Sequence, residues 1–319
     1  MQNCSPDPQL WEDSGAPSRD DSTSVIARRD SGNAARLIRI GSPDYPDALM
    51  QLRDAPKDLW ARGTLSIAAP PVVAIVGTRA ATEYGLRVAR SLATACAKAG
   101  VCVVSGLARG IDGAAHEATL RANGRTIAVL GTGVDCYYPR NHRNLQEHIA
   151  RDGLLLSEHP PGSTGHAGAF PRRNRIIAAL ASVVVIVEAG QSSGALITAS
   201  FAKELGIPVA VVPGPIDSPA SAGSNELLME MHTPLLSPAV LLGMLSLDPS
   251  PPLLPAVDGD AAQCWDVVRQ GAATLAEIAH RSGLTFRATS TAISALELDG
   301  LVSMDTGGKV RATIAATDY

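Results

Sequence analysis

The chain has 319 residues, of which 45% are hydrophobic and only 3% aromatic, and its formal net charge is −4. This length allows one large domain and a smaller one, and a core of Val, Ile, Leu and Ala favours a helix-covered parallel sheet over an aromatic-rich β-sandwich. The negative charge weighs against nucleic-acid binding, but it is unevenly distributed. Residues 70–240 carry 14 Lys and Arg against 12 Asp and Glu, whereas residues 241–319 carry 5 against 9. Any DNA site is therefore expected in the middle of the chain.

The sequence shows no run of 18 apolar residues, and its N-terminus is polar and acidic. This pattern predicts neither a membrane span nor a signal peptide, and hence a cytoplasmic protein. The five cysteines form no C-x-x-C pair, which indicates reduced thiols rather than disulfides or a zinc site. No metal ion or cofactor is predicted.

Residues 1–36 are rich in Ser, Asp, Pro and Arg without apolar periodicity, which predicts a disordered N-terminal tail. Residues 37–69 are predicted to form a short N-terminal module. Residues 70–245 then alternate between apolar strands and helical patterns that stop at glycines. Strands this apolar belong in a buried parallel sheet, so we predict an α/β, Rossmann-like doubly wound domain. The predicted strands are 72–76, 101–104, 126–130, 154–157, 182–187 and 208–212.

Residues 246–262 are rich in proline and are predicted to be a linker. The remaining unit, residues 263–316, has two helical patterns separated by a turn at Gly283. A small hairpin around Gly307-Gly308 is expected to follow them. This order predicts a C-terminal winged-helix domain.

Glycine-rich turns follow the first three strands of the α/β region. In an open parallel sheet, ligands bind at the carboxyl ends of the strands, where glycines let backbone N–H groups approach a phosphate and arginines add charged forks. The alternative is that the glycines only tighten the turns. The sequence contains no P-loop, so it indicates no P-loop NTPase, and the incomplete G-x-G-x-x-G gives only weak support for a dinucleotide site. The candidate anion-binding residues in these turns are Arg79, Ser105, Gly106, Arg109, Gly131 and Gly133.

The run from Phe170 to Arg175 (FPRRNR) combines an aromatic ring with three arginines just before an apolar strand. Arginines bind phosphates and an aromatic ring stacks on a base, so the run predicts single-stranded DNA binding. A solvated basic face is the alternative. The candidate DNA-binding residues here are Phe170, Arg172, Arg173, Asn174 and Arg175, with Ser193 and Gly194 from a further Ser-Ser-Gly turn.

Several blocks resemble the DprA/Smf DNA-processing family, in family order from about residue 38 to residue 245: VGTR, SGLARGIDGAAH, TIAVLGTGVDCYYPRNHRNL, SEHPPG, FPRRNRIIAAL, EAGQSSGALITASFAKELG and VPGPID. The resemblance implies a Rossmann-like core that binds single-stranded DNA, forms a homodimer and loads the RecA recombinase during natural transformation. It also implies DNA contacts by Arg79, Arg172, Arg173 and Arg175. The sequence departs from the family pattern at Met231–Pro234, near the expected dimer contact, so the dimer geometry stays open.

Two other hypotheses remain. A nucleotide-binding or nucleotide-hydrolysing enzyme on a related scaffold would need a catalytic carboxylate such as Glu188. Asp112 and His116, four residues apart on one helix, are either an acid–base pair or supports of the preceding loop. A transcription regulator acting through the winged-helix unit is the third hypothesis. Its predicted recognition helix has only one basic residue, Arg287, which disfavours sequence-specific binding to duplex DNA.

Overall fold

The computed structural model describes residues 34–166, 168–230, 232–247, 257–271, 273–298, 301–305 and 307–312. The strands of its large sheet are β1 Arg36–Arg39, β2 Asp58–Gly63, β3 Val72–Val76, β4 Cys102–Ser105, β5 Thr126–Leu130, β6 Leu154–Ser157, β7 Val183–Ile186, β8 Val209–Val211 and β9 Thr233–Pro234. They lie in the order β1-β2-β6-β5-β4-β3-β7-β8-β9. The predicted N-terminal tail falls almost entirely outside the described residues, although β1 begins at Arg36.

The six predicted strands, β3 to β8, are all present and parallel, and every one of their residues is buried. The chain moves outward from β3 to β6 and then crosses to the other side of β3 to form β7 and β8. This reversal between β3 and β7 is the topological switch of a doubly wound sheet, which places a cleft at the carboxyl ends of the strands. The predicted α/β fold is confirmed.

Helices cover both faces of this sheet. They are α1 Glu83–Lys98, α2 Ile111–Arg121, α3 Arg143–Asp152, α4 Ala169–Leu180, α5 Gly194–Glu204, α6 Ala222–Met229 and α7 Pro238–Met244. Val73 and Ile75 of β3 pack in a core with residues of α1 and α2, whereas Val72 and Ala74 pack on the opposite side with Ile176 of α4. Alternate residues of a strand face opposite sides, so an all-apolar strand can serve both cores.

Residues 37–69, predicted as a short module, continue the large sheet at one edge. Strand β2 pairs antiparallel with β6, with Trp60 opposite Ser157, and β1 pairs antiparallel with β2. Short 3-10 turns lie at Asp47–Gln51 and Leu65–Ala68. The Gln51 amide Nε2 donates a hydrogen bond to the Ala179 carbonyl of α4 at 3.0 Å. The sheet is therefore mixed, with an antiparallel pair added to a parallel centre.

The C-terminal unit has a small core of its own, which includes Trp265, Ile278 and Val310. A capping box between Thr274 and Glu277 begins its second helix. The helix-turn-helix followed by a hairpin confirms the predicted winged helix. Its elements are α8 Gly259–Arg269, β10 Ala273–Thr274, α9 Leu275–Ser282, α10 Phe286–Leu298, β11 Val302–Met304 and β12 Lys309–Ala312, with a sheet order of β10-β12-β11. Most of the predicted linker, residues 248–256, lies outside the described residues.

Among the described helices, none combines the length and the apolar character that crossing a membrane requires.

Candidate nucleic-acid interface

The turns that follow β3, β4 and β5 meet at the carboxyl edge of the sheet and form a cleft. The Ile111 N–H donates to the Thr78 carbonyl at 3.3 Å, which joins the first two turns. Gly110 has φ +77°, and a Cβ at this residue would overlap the backbone of Thr78, so glycine is needed where the turns touch. The cleft is lined by Arg79, Gly106, Leu107, Ala108, Arg109, Leu130, Gly131, Thr132, Tyr138, Pro139, Phe170 and Arg173.

Arg173 forms the floor of the cleft. Its side chain is buried, and its Nη1 donates to the carbonyl oxygens of Gly106, at 2.6 Å, and Val129. Burial lowers the pKa of Arg173 to about 10, and the Asp112 carboxylate opposes this shift, so the guanidinium stays charged at neutral pH. A fixed positive charge therefore lies beneath the glycine turns.

Asp112 supports the turn after β4. Its Oδ2 accepts hydrogen bonds from the backbone N–H groups of Gly106, at 3.1 Å, and Ala108, at 3.3 Å. The pKa of Asp112 is raised, because the effect of burial exceeds the opposing effect of the nearby Arg173 charge. The Nδ1 of His116 lies 2.7 Å from the Thr126 Oγ1, within hydrogen-bond distance. The Asp112 contacts are those expected of a support for the preceding loop, whereas His116 contacts β5 instead of that loop.

Phe170, at the first turn of α4, is part of a small aromatic cluster with an arginine. Its ring centroid lies 4.7 Å from that of Tyr138, and the Arg79 guanidinium carbon lies 5.9 Å from the Phe170 centroid. Cβ atoms at Gly131 and Gly165 would lie within 2.8 Å of the Phe170 ring, so these glycines make room for it. Tyr138 was not among the candidate residues chosen from the sequence, although it is 45% exposed and lines the cleft. The Tyr-Tyr-Pro run at the end of this turn was the sequence feature that could have indicated it.

Arg175 and Arg172 lie beside the cleft, around Asp54. Arg175 is buried; its Nε donates to Asp54 Oδ2 at 2.9 Å, and its Nη1 and Nη2 donate to the Glu158 carboxylate at 2.8 and 2.5 Å. This guanidinium is therefore already engaged within the protein. The Arg172 side chain is 64% exposed, and its Nη2 lies 3.6 Å from the Asp54 Oδ2. Of these two, Arg172 is the one that solvent or a ligand can reach.

Of the other predicted site residues, some line the cleft and others form hydrogen bonds within the protein that support it. Ser105 points inward and donates to the Ile75 carbonyl at 2.7 Å. Gly133 is buried, and its N–H donates to Ser163 at 2.9 Å. Ser193 caps α5 by accepting from the Ala195 N–H. Arg109 is exposed and lines the cleft.

Asn174 connects Arg173 to the start of α5. Its Oδ1 accepts from the Arg173 Nε at 2.9 Å, and its Nδ2 donates to the Gly194 carbonyl at 3.1 Å. The Ser193–Gly194 turn is thereby tied to the floor of the cleft. Arg173 and Asn174 of α4 are thus linked by hydrogen bonds to Gly194 of α5.

Glu188, the candidate catalytic carboxylate, braces the beginning of α1. It is 1% exposed, and its Oε2 and Oε1 accept hydrogen bonds from the Thr82 N–H and hydroxyl, both at 2.8 Å. Both carboxylate oxygens are therefore engaged by the N-cap residue of α1. Within the described residues, no group of three or more His, Cys, Asp or Glu side chains could hold a metal ion.

A family model described as DNA recombination-mediator protein A matches residues 36–245, and a model of the DprA winged helix domain matches residues 248–308. The chain belongs to the DNA recombination-mediator protein A family. The match spans the sheet and the cleft, so the resemblance seen in the sequence motifs is confirmed.

Members of the family in several bacteria are similar to this chain. It is 43% identical over 264 residues to a putative DNA processing protein DprA of Mycobacterium tuberculosis, covering 79% of this chain and 68% of that protein. Protein Smf of Escherichia coli is 37% identical over 298 residues, covering 86% and 77%. Protein Smf of Synechocystis is 46% identical over 211 residues, and the chain spans only 53% of its length.

Two solved structures of DprA proteins share the fold. The Streptococcus pneumoniae protein superposes with a TM-score of 0.63 at 39% identity, covering 65% of this chain and 73% of that one. The Helicobacter pylori protein gives 0.60 at 33% identity, covering 66% and 95%. The latter structure is described as revealing that protein's single-stranded DNA binding mode.

Proposed function

We propose that this protein binds single-stranded DNA in the cleft without turnover and loads the RecA recombinase onto it during DNA uptake, natural transformation and recombination in the cytoplasm. The observation that carries the proposal is the position of Arg79 over Phe170, beside Tyr138, in a cleft that is also lined by glycine turns and the buried Arg173. Stacking platforms combined with a cationic groove bind single strands with little sequence preference.

The arginines divide into two roles in this proposal. Arg79, Arg109 and Arg172 are exposed and are placed to contact phosphates. Arg173 and Arg175 are buried and hold the turns and the helix α4 in position. Arg173 also supplies positive potential to the floor of the cleft. This assignment narrows the direct contacts expected from the FPRRNR run to Phe170 and Arg172.

The fold of the Helicobacter pylori relative supports the choice of ligand, since that protein is described by its single-stranded DNA binding mode. The recognition helix α10 of the winged-helix unit contributes Arg287 as its single basic residue within the described range, between Phe286 and Leu298. Reading a duplex groove depends on several cationic contacts to the backbone, which this helix does not offer. The proposal therefore places DNA binding in the cleft rather than in the winged helix.

The nucleotide-hydrolysing alternative needs an activated water, and hence a general base or a metal ion beside the reacting atom. Glu188 is buried against Thr82, and Asp112 accepts two backbone hydrogen bonds, so each carboxylate has a structural partner. Both contacts favour binding without chemistry. Incubation with ATP, nucleoside monophosphates and labelled single strands, with and without Mg²⁺, tests this; turnover lost in Glu188→Gln would support the enzyme instead.

The proposal includes a homodimer formed through the Rossmann-like domain. Three large apolar side chains near strands β8 and β9 are exposed: Ile216 by 99%, Met229 by 86% and Leu236 by 76%. Exposed apolar groups of this size suit a protein interface. Light scattering should report a dimer that Leu236→Glu converts to a monomer, and a monomeric native protein would contradict this part of the proposal.

The deciding experiment compares binding of a single strand, the matched duplex and a mononucleotide over a range of salt concentrations. We expect the single strand to bind most tightly, with affinity that falls as salt rises. Equal affinity for the duplex would contradict the proposal, and tight binding of the mononucleotide alone would favour an enzyme. Adding RecA to protein-coated single strands, and following filament formation, tests the loading step separately.

A further inference from the structure

Three arginines in the described residues lie over aromatic rings, and all three pairs are at the carboxyl edge of the sheet. Arg79 lies over Phe170 in the cleft, Arg143 lies 4.9 Å from the Tyr137 centroid, and Arg87 lies 5.6 Å from that of Tyr84. Only 3% of the residues in this chain are aromatic, so abundance does not explain three such pairs at one edge.

The pair of Arg143 and Tyr137 lies on the side of the cleft towards β6. Tyr137 follows β5, and its hydroxyl donates to the Glu147 carboxylate of α3 at 2.7 Å. Glu147 also accepts a bidentate pair of hydrogen bonds from Arg62 of β2, at 2.8 and 2.7 Å. The ring under Arg143 is thus held in place by two elements.

The pair of Arg87 and Tyr84 lies on the opposite side, towards β8. Tyr84 is in the first turn of α1, and its hydroxyl donates to the carbonyl of Pro213 at 2.8 Å. Pro213 follows β8, two strands beyond β3 in the sheet. This ring is therefore also anchored at the carboxyl edge, outside the lining of the cleft.

The three pairs span about five neighbouring strands, β5-β4-β3-β7-β8. With strands roughly 4.8 Å apart, this is a distance of about 19 Å along the edge. Such a length exceeds one nucleotide and fits a strand that runs along the sheet edge rather than one held only in the cleft.

The charges of these arginines are available to a ligand. Arg79, Arg87 and Arg143 are exposed, and none of them forms a salt bridge within the part of the chain that the structure describes. Arg62 and Arg175, in contrast, are each paired with carboxylates. Stacking on a ring orders a guanidinium before it binds, which lowers the entropic cost of a phosphate contact.

We propose that Arg87 with Tyr84 and Arg143 with Tyr137 are flanking phosphate sites, which extend the single-strand path across the carboxyl edge on both sides of the cleft. This inference rests on the proposed function. A short strand occupies the cleft alone, whereas a longer strand also reaches the two flanking arginines.

The test uses the full chain with fluorescent oligothymidylates of about 4 and about 16 nucleotides, the range of single-strand site sizes. The double variant Arg87→Ala/Arg143→Ala is compared with Lys98→Ala/Arg151→Ala, which removes one charge from the far end of each of the same two helices. For the long strand, we expect the slope of log K against log salt to become shallower by about 1.4 in the first variant, at roughly 0.7 per phosphate contact. The control should keep the native slope, and the short strand should show no change in either variant.

An unchanged slope with the long strand would overturn the inference while leaving the proposed function intact. An equal loss with the short strand would also overturn it, because both arginines would then act within the cleft. If the unaltered protein binds neither strand, the proposed function fails, and the inference fails with it.

Discussion

Arg173 donates a hydrogen bond from its Nη1 to the carbonyl oxygen of Gly106 at 2.6 Å, and a Cβ at Gly106 would overlap the Arg173 guanidinium. The same Cβ would lie 2.7 Å from the Asp112 Oδ2. A glycine in the turn after β4 and an arginine in α4 are therefore mutually dependent, although 67 residues separate them.

Gly106→Ala should destabilise the protein, because the added methyl group would overlap the buried Arg173 guanidinium and the buried Asp112 carboxyl group. We expect a loss of about 1–3 kcal/mol in the free energy of unfolding, as for overpacked cores. Gly194→Ala is the matched control, since nothing lies within 4 Å of a Cβ there. Urea denaturation of both variants measures the difference, and equal stability would show that the turn is free to move.

Arg172 and Arg173 are adjacent but should respond oppositely to substitution. Arg173→Met leaves Asp112 buried without its charged partner, so we expect a loss of stability of about 3–5 kcal/mol. Arg172→Met removes an exposed charge, so stability should change by about 0–1 kcal/mol while single-strand affinity falls. Denaturation and binding measured on the same samples separate the two effects. A stable Arg173→Met protein would contradict the structural role of that residue.

The sequence alone could not show which arginines of the FPRRNR run are exposed and which are buried. The run of three arginines indicated a basic surface, but Arg175 pairs with Asp54, 121 residues earlier in the chain. No local pattern signals a partner at that separation. Likewise, β2 joins the sheet by pairing with β6. Because this partner lies far along the chain, the sequence of residues 37–69 does not predict the pairing.

The centre of the sheet was predictable because its strands are apolar on both faces. Val72 to Val76 serves two cores at once, so its apolar residues follow one another without alternation. Phe170 was predictable too, since an aromatic residue at the start of a basic run stands out in a chain with few rings. Tyr138 was not selected, because only the folded turn shows that it lies against Phe170.

Phe170 and Tyr138 should act together in binding a single strand. Replacing either ring by Leu removes a stacking surface, and we expect each single variant to lose about 1–3 kcal/mol of binding free energy. The double variant should lose less than the sum, because the rings touch and support each other. A double-mutant cycle with one oligothymidylate measures this coupling, and strict additivity would mean that the rings bind independently.

His116 should make stability depend on pH. Burial lowers its pKa to about 3, whereas an unfolded histidine titrates near pH 6.5. As the pH falls below 6.5, His116 becomes protonated in the unfolded chain but stays neutral in the folded protein. The free energy of unfolding therefore decreases. The slope is about 1.4 kcal/mol per pH unit for this one group until the pH approaches 3.

Urea denaturation between pH 7 and pH 5.5 checks this dependence. His116→Gln should show a smaller decrease in stability than the native protein over that interval. His148→Gln serves as the control, because this partly exposed side chain lies 3.0 Å from Asp152 at the surface. If both variants keep the native pH dependence, another group is responsible for it.

The hydrogen bonds of Arg173 also have a consequence for biosynthesis. This side chain joins the turn after β4 and the end of β5, both of which leave the ribosome before it, to a helix that leaves later. A nascent chain that ends before residue 173 therefore has its glycine turns but lacks the charge beneath them. If the cleft binds single strands as proposed, affinity should arise only once α4 has emerged and packed, and shorter translation products should not compete with the full chain for DNA.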